Sequence, residues 1–229
     1  MSLLKTCEKA VIIVAGGSGK RFGSEVPKQF LEITGKPVLM HTIERFREAF
    51  TNVKIVVVLP EVHHETWENL CNEHQFEIEH EVAKGGKERF DSVKNGLEKV
   101  TDCELVGVQD GVRPLTSVKL IQSCYDTAFS YGACVPAIPV ADSLRKGNKT
   151  DNKPVSREGL FRVQTPQVFR YSWLLKAYEQ PFDSSFTDDA SVIEKAGHKI
   201  ILVDGEESNI KITRQEDLQL AEFYLLQQD

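Results

Sequence analysis

Short runs of β-branched residues alternate along this chain with longer amphipathic stretches, the pattern of βαβ units laid on a mostly parallel sheet. The apolar runs predict strands at Ala10–Val14, Lys54–Leu59, Glu77–Glu81, Leu105–Gln109, Ala133–Ile138 and Lys199–Val203. Apolar residues returning every three or four positions predict helices over Pro37–Ala49, Glu61–Glu73, Glu88–Val100, Thr116–Tyr131, Ser172–Glu179, Asp188–Ala196 and Gln215–Leu226. Asp188 and Asp189 fall in the first turn of one of these, where carboxylates complement the helix dipole.

Residues 142 to 170 break the alternation, carrying seven basic side chains against three acidic ones in a protein of net charge −6. The turn-rich stretch Gly147-Asn148-Lys149-Thr150-Asp151-Asn152-Lys153-Pro154 and the candidate strands flanking it predict an extended hairpin arm rather than a linker. No internal repeat and no second core interrupts the 229 residues, so the expectation is one domain, 1–229, with an arm at about 139–162. The acidic balance argues against nucleic-acid binding, which normally uses a basic field. The longest apolar run near the start, Ala10 to Gly17, is far below the ~18 residues of a membrane span, so a soluble, unprocessed, cytoplasmic protein is expected. Five widely spaced cysteines without C-x-x-C suggest neither a disulfide framework nor a zinc knuckle. Cys71 and His74 could form half a zinc site, but no second half follows, and His63-His64-Glu65 lacks the H-E-x-x-H spacing.

Chemistry enters after the first strand, at Ala15-Gly16-Gly17-Ser18-Gly19-Lys20-Arg21-Phe22-Gly23 followed by Pro27-Lys28. A glycine turn at a strand's carboxyl end lets backbone N–H groups approach phosphate oxygens, and Arg21 and Lys28 add positive charge. A P-loop would need a hydroxyl residue after Lys20, where Arg21 stands; a dinucleotide loop would need glycine where Phe22 stands. The remaining reading of the glycines alone is a tight turn.

The string Ala15-Gly16-Gly17-x-Gly19-x-Arg21 with Pro27-Lys28-Gln29-Phe30 resembles the signature of sugar- and polyol-phosphate nucleotidyltransferases. Further blocks are similar to those of the 2-C-methyl-D-erythritol 4-phosphate cytidylyltransferases: Gly85-Gly86-x-Glu88-Arg89-x-Asp91-Ser92-Val93, Asp110-x-x-Arg113-Pro114, Thr165-Pro166-Gln167, Thr187-Asp188-Asp189-Ala190-Ser191 and Asn209-Ile210-Lys211-Ile212-Thr213. They follow the family's order over nearly the whole chain. The resemblance implies a Rossmann-like nucleotidyltransferase fold, a three-layer α/β/α sandwich with a mostly parallel sheet and a projecting β-hairpin arm. It also implies a homodimer that transfers a cytidylyl group from CTP to 2-C-methyl-D-erythritol 4-phosphate, releasing pyrophosphate, in non-mevalonate isoprenoid precursor synthesis.

Such a reaction is largely a matter of positioning and charge neutralisation, because the attacking phosphate, with a second pKa near ~6, needs no protein base. By resemblance, Arg21 and Lys28 match the positions that stabilise the transition state, and Ala15, Gly16, Gly17, Gly19, Gly85, Gly86 and Ser92 those around the nucleotide. Asp110, at a strand's carboxyl end, suits Mg²⁺ or another divalent cation shared with substrate phosphates. Arg113 contacts nucleotide phosphate or braces Asp110, and Arg89 ties its loop to Asp91 or another acid. Asp142, Ser143, Arg157, Thr165, Thr187 and Lys211 match positions that hold the polyol phosphate, with Arg157 reaching from the arm into a partner's site. Three departures stand out: Gln109-Asp110-Gly111-Val112-Arg113 where the family often has His-Asp-Ala-Ala-Arg, Ser143 for a threonine, and Ser208 for an acid seen in some relatives. The alternatives are a ribitol 5-phosphate cytidylyltransferase, an NAD(P)-dependent oxidoreductase and a nucleotide sensor without turnover.

Overall fold

The structure, a computed structural model, describes residues 7–17 and 26–227. The first half runs β1 (Cys7–Val14), β2 (Glu32–Ile33), β3 (Lys36–Pro37), α1 (Val38–Ala49), β4 (Lys54–Leu59), α2 (His64–Glu73), β5 (Glu81–Lys84), α3 (Arg89–Leu97) and β6 (Cys103–Asp110). Then follow α4 (Val118–Tyr131), β7 (Ala133–Pro139), β8 (Leu144–Gly147), β9 (Asn152–Val155), β10 (Phe161–Val163), β11 (Gln167–Arg170), α5 (Tyr171–Ala177), α6 (Asp189–Lys195), β12 (Ile201–Asp204) and α7 (Gln215–Leu225).

One eight-stranded sheet runs β5-β4-β1-β6-β11-β7, with β10 and β12 also bonded to β7. β1 is parallel to β4 and β6, β4 to β5, and β7 to β12, while β11 lies antiparallel between β6 and β7. The continuous apolar runs of β1 and β4 are explained by burial on both faces. Val11 and Ile13 of β1, with Ile55 and Val57 of β4, pack against α1 and α4; Ala10, Ile12, Val56 and Val58 pack against α3, α5 and α6. The result is a three-layer α/β/α sandwich.

The excursion after β7 divides in two. β8 and β9 bond only to each other, from Leu144↔Val155 to Gly147↔Asn152, and most of their residues are exposed. By contrast β10 and β11 return to the main sheet, where Val168 and Phe169 face opposite layers of the core. The strand expected at Glu77–Glu81 is corrected to Glu81–Lys84. The alternation of Phe76, Ile78 and His80 is real, but the rings of Phe76 and His80 meet Trp67, Ile78 packs against the same core, and the Glu79 carbonyl is taken by Arg47 rather than by β4. Among the described residues no helix is long and apolar enough to cross a membrane.

Candidate active site

The carboxyl ends of β1, β4, β5 and β6 lie side by side, with Val14 in register with both Val58 and Asp110. Open α/β sheets offer their ligand crevice at this edge. The Ala15 N–H donates to the Val58 carbonyl at 2.9 Å, the Gly85 N–H to Leu59 at 2.7 Å and the Gly111 N–H to Val14 at 2.9 Å, so three turns are pinned along one rim.

Glycine serves different purposes on this rim. At Gly86 a Cβ would fall 2.2 Å from the Asp91 Cβ, so the turn itself demands the absence of a side chain. Ser92 closes that turn, accepting from the Gly86 N–H at 3.0 Å and donating to the Glu88 carbonyl at 3.1 Å. At Gly16 and Gly17 a Cβ would make only ordinary contacts, 3.9 Å to Pro60 and 3.7 Å to Lys28. Among the described residues nothing crowds a side chain there, and bare backbone at such a turn can approach a ligand closely.

Asp110 forms the electrostatic centre. Its Oδ2 lies 3.0 Å from Arg113 Nε and 3.1 Å from Lys211 Nζ, and its backbone N–H donates to Thr165 Oγ1 at 3.1 Å. Burial opposes ionisation, but Lys211, Arg113 and Arg89 outweigh it and hold the carboxyl well below the usual carboxylate range. Lys28 reaches the same segment as Lys211, donating from Nζ to the Ile212 carbonyl at 3.0 Å.

Behind these groups lies a buried polar hub. The fully buried Asn209 accepts from Thr116 Oγ1 at 2.9 Å and donates to the Thr165 carbonyl at 2.9 Å, while its own carbonyl receives Arg113 NH1 at 2.6 Å. Of the two roles open to Arg113, bracing Asp110 is the one its hydrogen bonds serve. Arg89 finds its acid in Asp189, which is buried and also accepts from the Tyr178 hydroxyl at 2.6 Å. Burial works against the Arg89 charge and Asp189 overrides it, raising the pKa further. Sequence reasoning assigned no role to Asn209 and gave Asp189 only a place in a helix's first turn; neither the hub nor the pairing with Arg89 was visible in the short blocks that hold them.

The structure thus brings together Ala15, Gly16, Gly17, Lys28, Gly85, Gly86, Ser92, Asp110, Arg113, Thr165 and Lys211. Thr187 is exposed and its N–H donates to Ser191 Oγ in the cap of α6, two residues from Asp189. Asp142 and Ser143 precede β8 and are exposed; Arg157 follows β9 and is hydrogen-bonded to the Ala141 carbonyl. Gly19 and Arg21 lie outside the described residues. A hollow of about 950 Å³ beside Lys9, Phe50 and Lys54 opens near the amino-terminal starts of β1 and β4, so its size does not mark this site.

Residues 9–227 match the family model described as IspD: 2-C-methyl-D-erythritol 4-phosphate cytidylyltransferase. The chain belongs to this family. A member from Bacteroides thetaiotaomicron, carrying the same enzyme name, is 48% identical over 214 residues, covering 93% of this chain and 98% of the relative. One from Porphyromonas gingivalis is 47% identical over 219 residues, covering 95% and 98%. Among solved structures, the cytidylyltransferase of Thermus thermophilus superposes with a TM-score of 0.76 at 30% identity over 95% of this chain and 98% of that one. The 4-diphosphocytidyl-2C-methyl-D-erythritol synthase of Anaerococcus prevotii gives 0.80 at 26% identity, with 96% of each chain covered. Membership of the cytidylyltransferase family fits a fold whose glycine turns and cations line one crevice.

Proposed function

We propose that the chain transfers the cytidylyl group of CTP to 2-C-methyl-D-erythritol 4-phosphate, releasing pyrophosphate, for isoprenoid synthesis. The observation that carries this reading, within a member of this family, is the meeting of two glycine turns with Lys28, Asp110 and Lys211 at one sheet edge. A reaction in which a phosphate oxygen attacks the α-phosphorus of CTP and pyrophosphate departs needs, like phosphoryl transfer, in-line positioning and cations more than it needs a base. Backbone N–H groups at Gly16 and Gly17 hold the triphosphate, and Lys28 together with Arg21 neutralises the charge that shifts to the departing pyrophosphate. Backbone groups of Gly85 and Gly86, in the turn closed by Ser92, read the cytosine edge, whose N4 amino group distinguishes it from uracil.

The donor set suits a magnesium ion. Asp110 is ionised and, among the described residues, no cluster of three or more His, Cys, Asp or Glu side chains is found. Magnesium ordinarily takes one or two carboxylates and completes its shell with water and substrate phosphates. When bound, the ion supplies charge neutralisation at the triphosphate.

Lys211 and Thr165, both in contact with Asp110, hold the polyol phosphate, together with Thr187. The exposed basic arm supports a homodimer in which Asp142, Ser143 and Arg157 complete a partner's site. The whole chain is read as one domain with this arm, acting in the cytoplasm. The ribitol phosphate alternative has no observation in its favour.

Pyrophosphate release, measured with CTP and each of methylerythritol 4-phosphate and ribitol 5-phosphate, and with UTP and ATP replacing CTP, tests the reading. Release with CTP and methylerythritol phosphate alone is expected. Preference for ribitol phosphate keeps the chemistry and replaces the acceptor; release with neither acceptor overturns the enzyme assignment.

A further inference from the structure

Asp110 is the carboxylate that the proposed chemistry offers to a metal ion, yet its Oδ2 is met by two cations, Arg113 Nε at 3.0 Å and Lys211 Nζ at 3.1 Å. The two partners differ in kind. Arg113 is buried and anchored through NH1 to the Asn209 carbonyl, so its guanidinium is a fixed part of the hub. The Lys211 side chain is 42% exposed, and its ammonium rides on a four-carbon stem with freely rotating donors. A fixed charge and a movable one therefore share a single oxygen.

A dication approaching Asp110 in the nucleotide-free protein meets one negative charge flanked by two positive ones, and repulsion between like charges opposes its binding. A nucleoside triphosphate changes this balance, since its phosphate oxygens bring both negative charge and the ligands that a lone carboxylate cannot supply. The same anions give the displaced ammonium somewhere to go. We infer that Lys211 is a displaceable counter-ion of Asp110, excluding a free divalent cation from the nucleotide-free protein and yielding the carboxylate when the cation arrives with a nucleoside triphosphate. Its ammonium is then available to the second, phosphate-bearing substrate. This inference rests on the reading of Asp110 as the cation ligand.

The test is a titration with Mn²⁺, following free ion by electron paramagnetic resonance, on wild type, Lys211→Gln, Lys211→Arg, Asp110→Asn and the double variant Lys211→Gln/Asp110→Asn, each with and without CTP. Without CTP, Lys211→Gln should bind Mn²⁺ at least about tenfold more tightly than wild type, the scale on which one adjacent charge shifts an ionic equilibrium. Lys211→Arg, which retains the cation, should stay near wild type, and the double variant should lose the gain. CTP should raise wild-type affinity and narrow the gap to Lys211→Gln. Equal Mn²⁺ affinity of wild type and Lys211→Gln without CTP, alongside a CTP-dependent site that Asp110→Asn abolishes, overturns the counter-ion role and leaves the metal ligand standing. A CTP-dependent site indifferent to Asp110→Asn overturns the metal assignment itself, and the inference with it. Lys211→Met gives a second uncharged variant, and far-ultraviolet circular dichroism checks that each protein is folded.

Discussion

Arg89 and Asp189, 100 residues apart in the chain, are joined by two parallel hydrogen bonds of 2.8 and 2.6 Å. This pair fastens the start of α3, which follows the Gly85–Gly86 turn, to the start of α6 on the same face of the sheet. Replacing Arg89 with methionine leaves the buried Asp189 carboxylate with the Tyr178 hydroxyl and no cation. Breaking such a pair costs about 3 kcal/mol or more. Urea unfolding of Arg89→Met should show a loss of that order, with Arg89→Lys recovering part of it; an unchanged midpoint would mean the pair contributes nothing.

Glycine substitutions should separate packing from ligand contact. Gly86→Ala forces a Cβ to within 2.2 Å of Asp91, and overpacking of this kind costs about 1–3 kcal/mol. Among the described residues Gly16→Ala meets nothing nearer than 3.9 Å, so its melting temperature should stay near wild type while the KM for CTP rises several-fold. A normal KM for CTP in folded Gly16→Ala would remove the phosphate contact assigned to that turn.

Lys28 is bonded to the Ile212 carbonyl, a contact whose loss should cost only about 1 kcal/mol of stability. Its proposed work is in the transition state, where removing one preorganised donor typically lowers kcat by about 10²–10³. Lys28→Ala should therefore still fold but turn over far more slowly, with circular dichroism checking the fold. Normal turnover would assign the leaving-group charge to other residues.

The pH dependence should belong to the substrate. Asp110 has a depressed pKa in the folded protein, so its ion pairs contribute stability above the unfolded value of about 3.9 and lose it as pH falls through the lower folded value. At pH 5–8 the carboxylate stays charged, whereas the attacking phosphate has its second pKa near ~6. With CTP saturating, kcat/KM for methylerythritol phosphate should fall below about pH 6, in step with protonation of that phosphate. A rate held constant from pH 7 to pH 5 would show that the monoanion reacts equally well.

The sequence by itself determined the layered α/β architecture, because strands buried on both faces must be continuously apolar, as in β1 and β4, and helices must carry apolar stripes. It also showed the glycine turns and Asp110 at strand ends, since short-range spacing encodes where a strand stops. Tertiary structure alone decided what depends on distant pairing. Four-residue β11 is too short to declare itself, yet it lies between β6 and β7 because both offer edges to bond. The alternation from Phe76 onward indicated extended chain, but which residues form a strand was fixed by the partner, so pairing begins only at Glu81. Likewise, Arg89 had several acids within reach of a guess; only the fold brings Asp189 to it, and only the fold gathers Arg113 and Lys211 on one oxygen of Asp110. Local patterns record burial and turns, whereas ion pairs across 100 residues are set by where the packed layers bring side chains together.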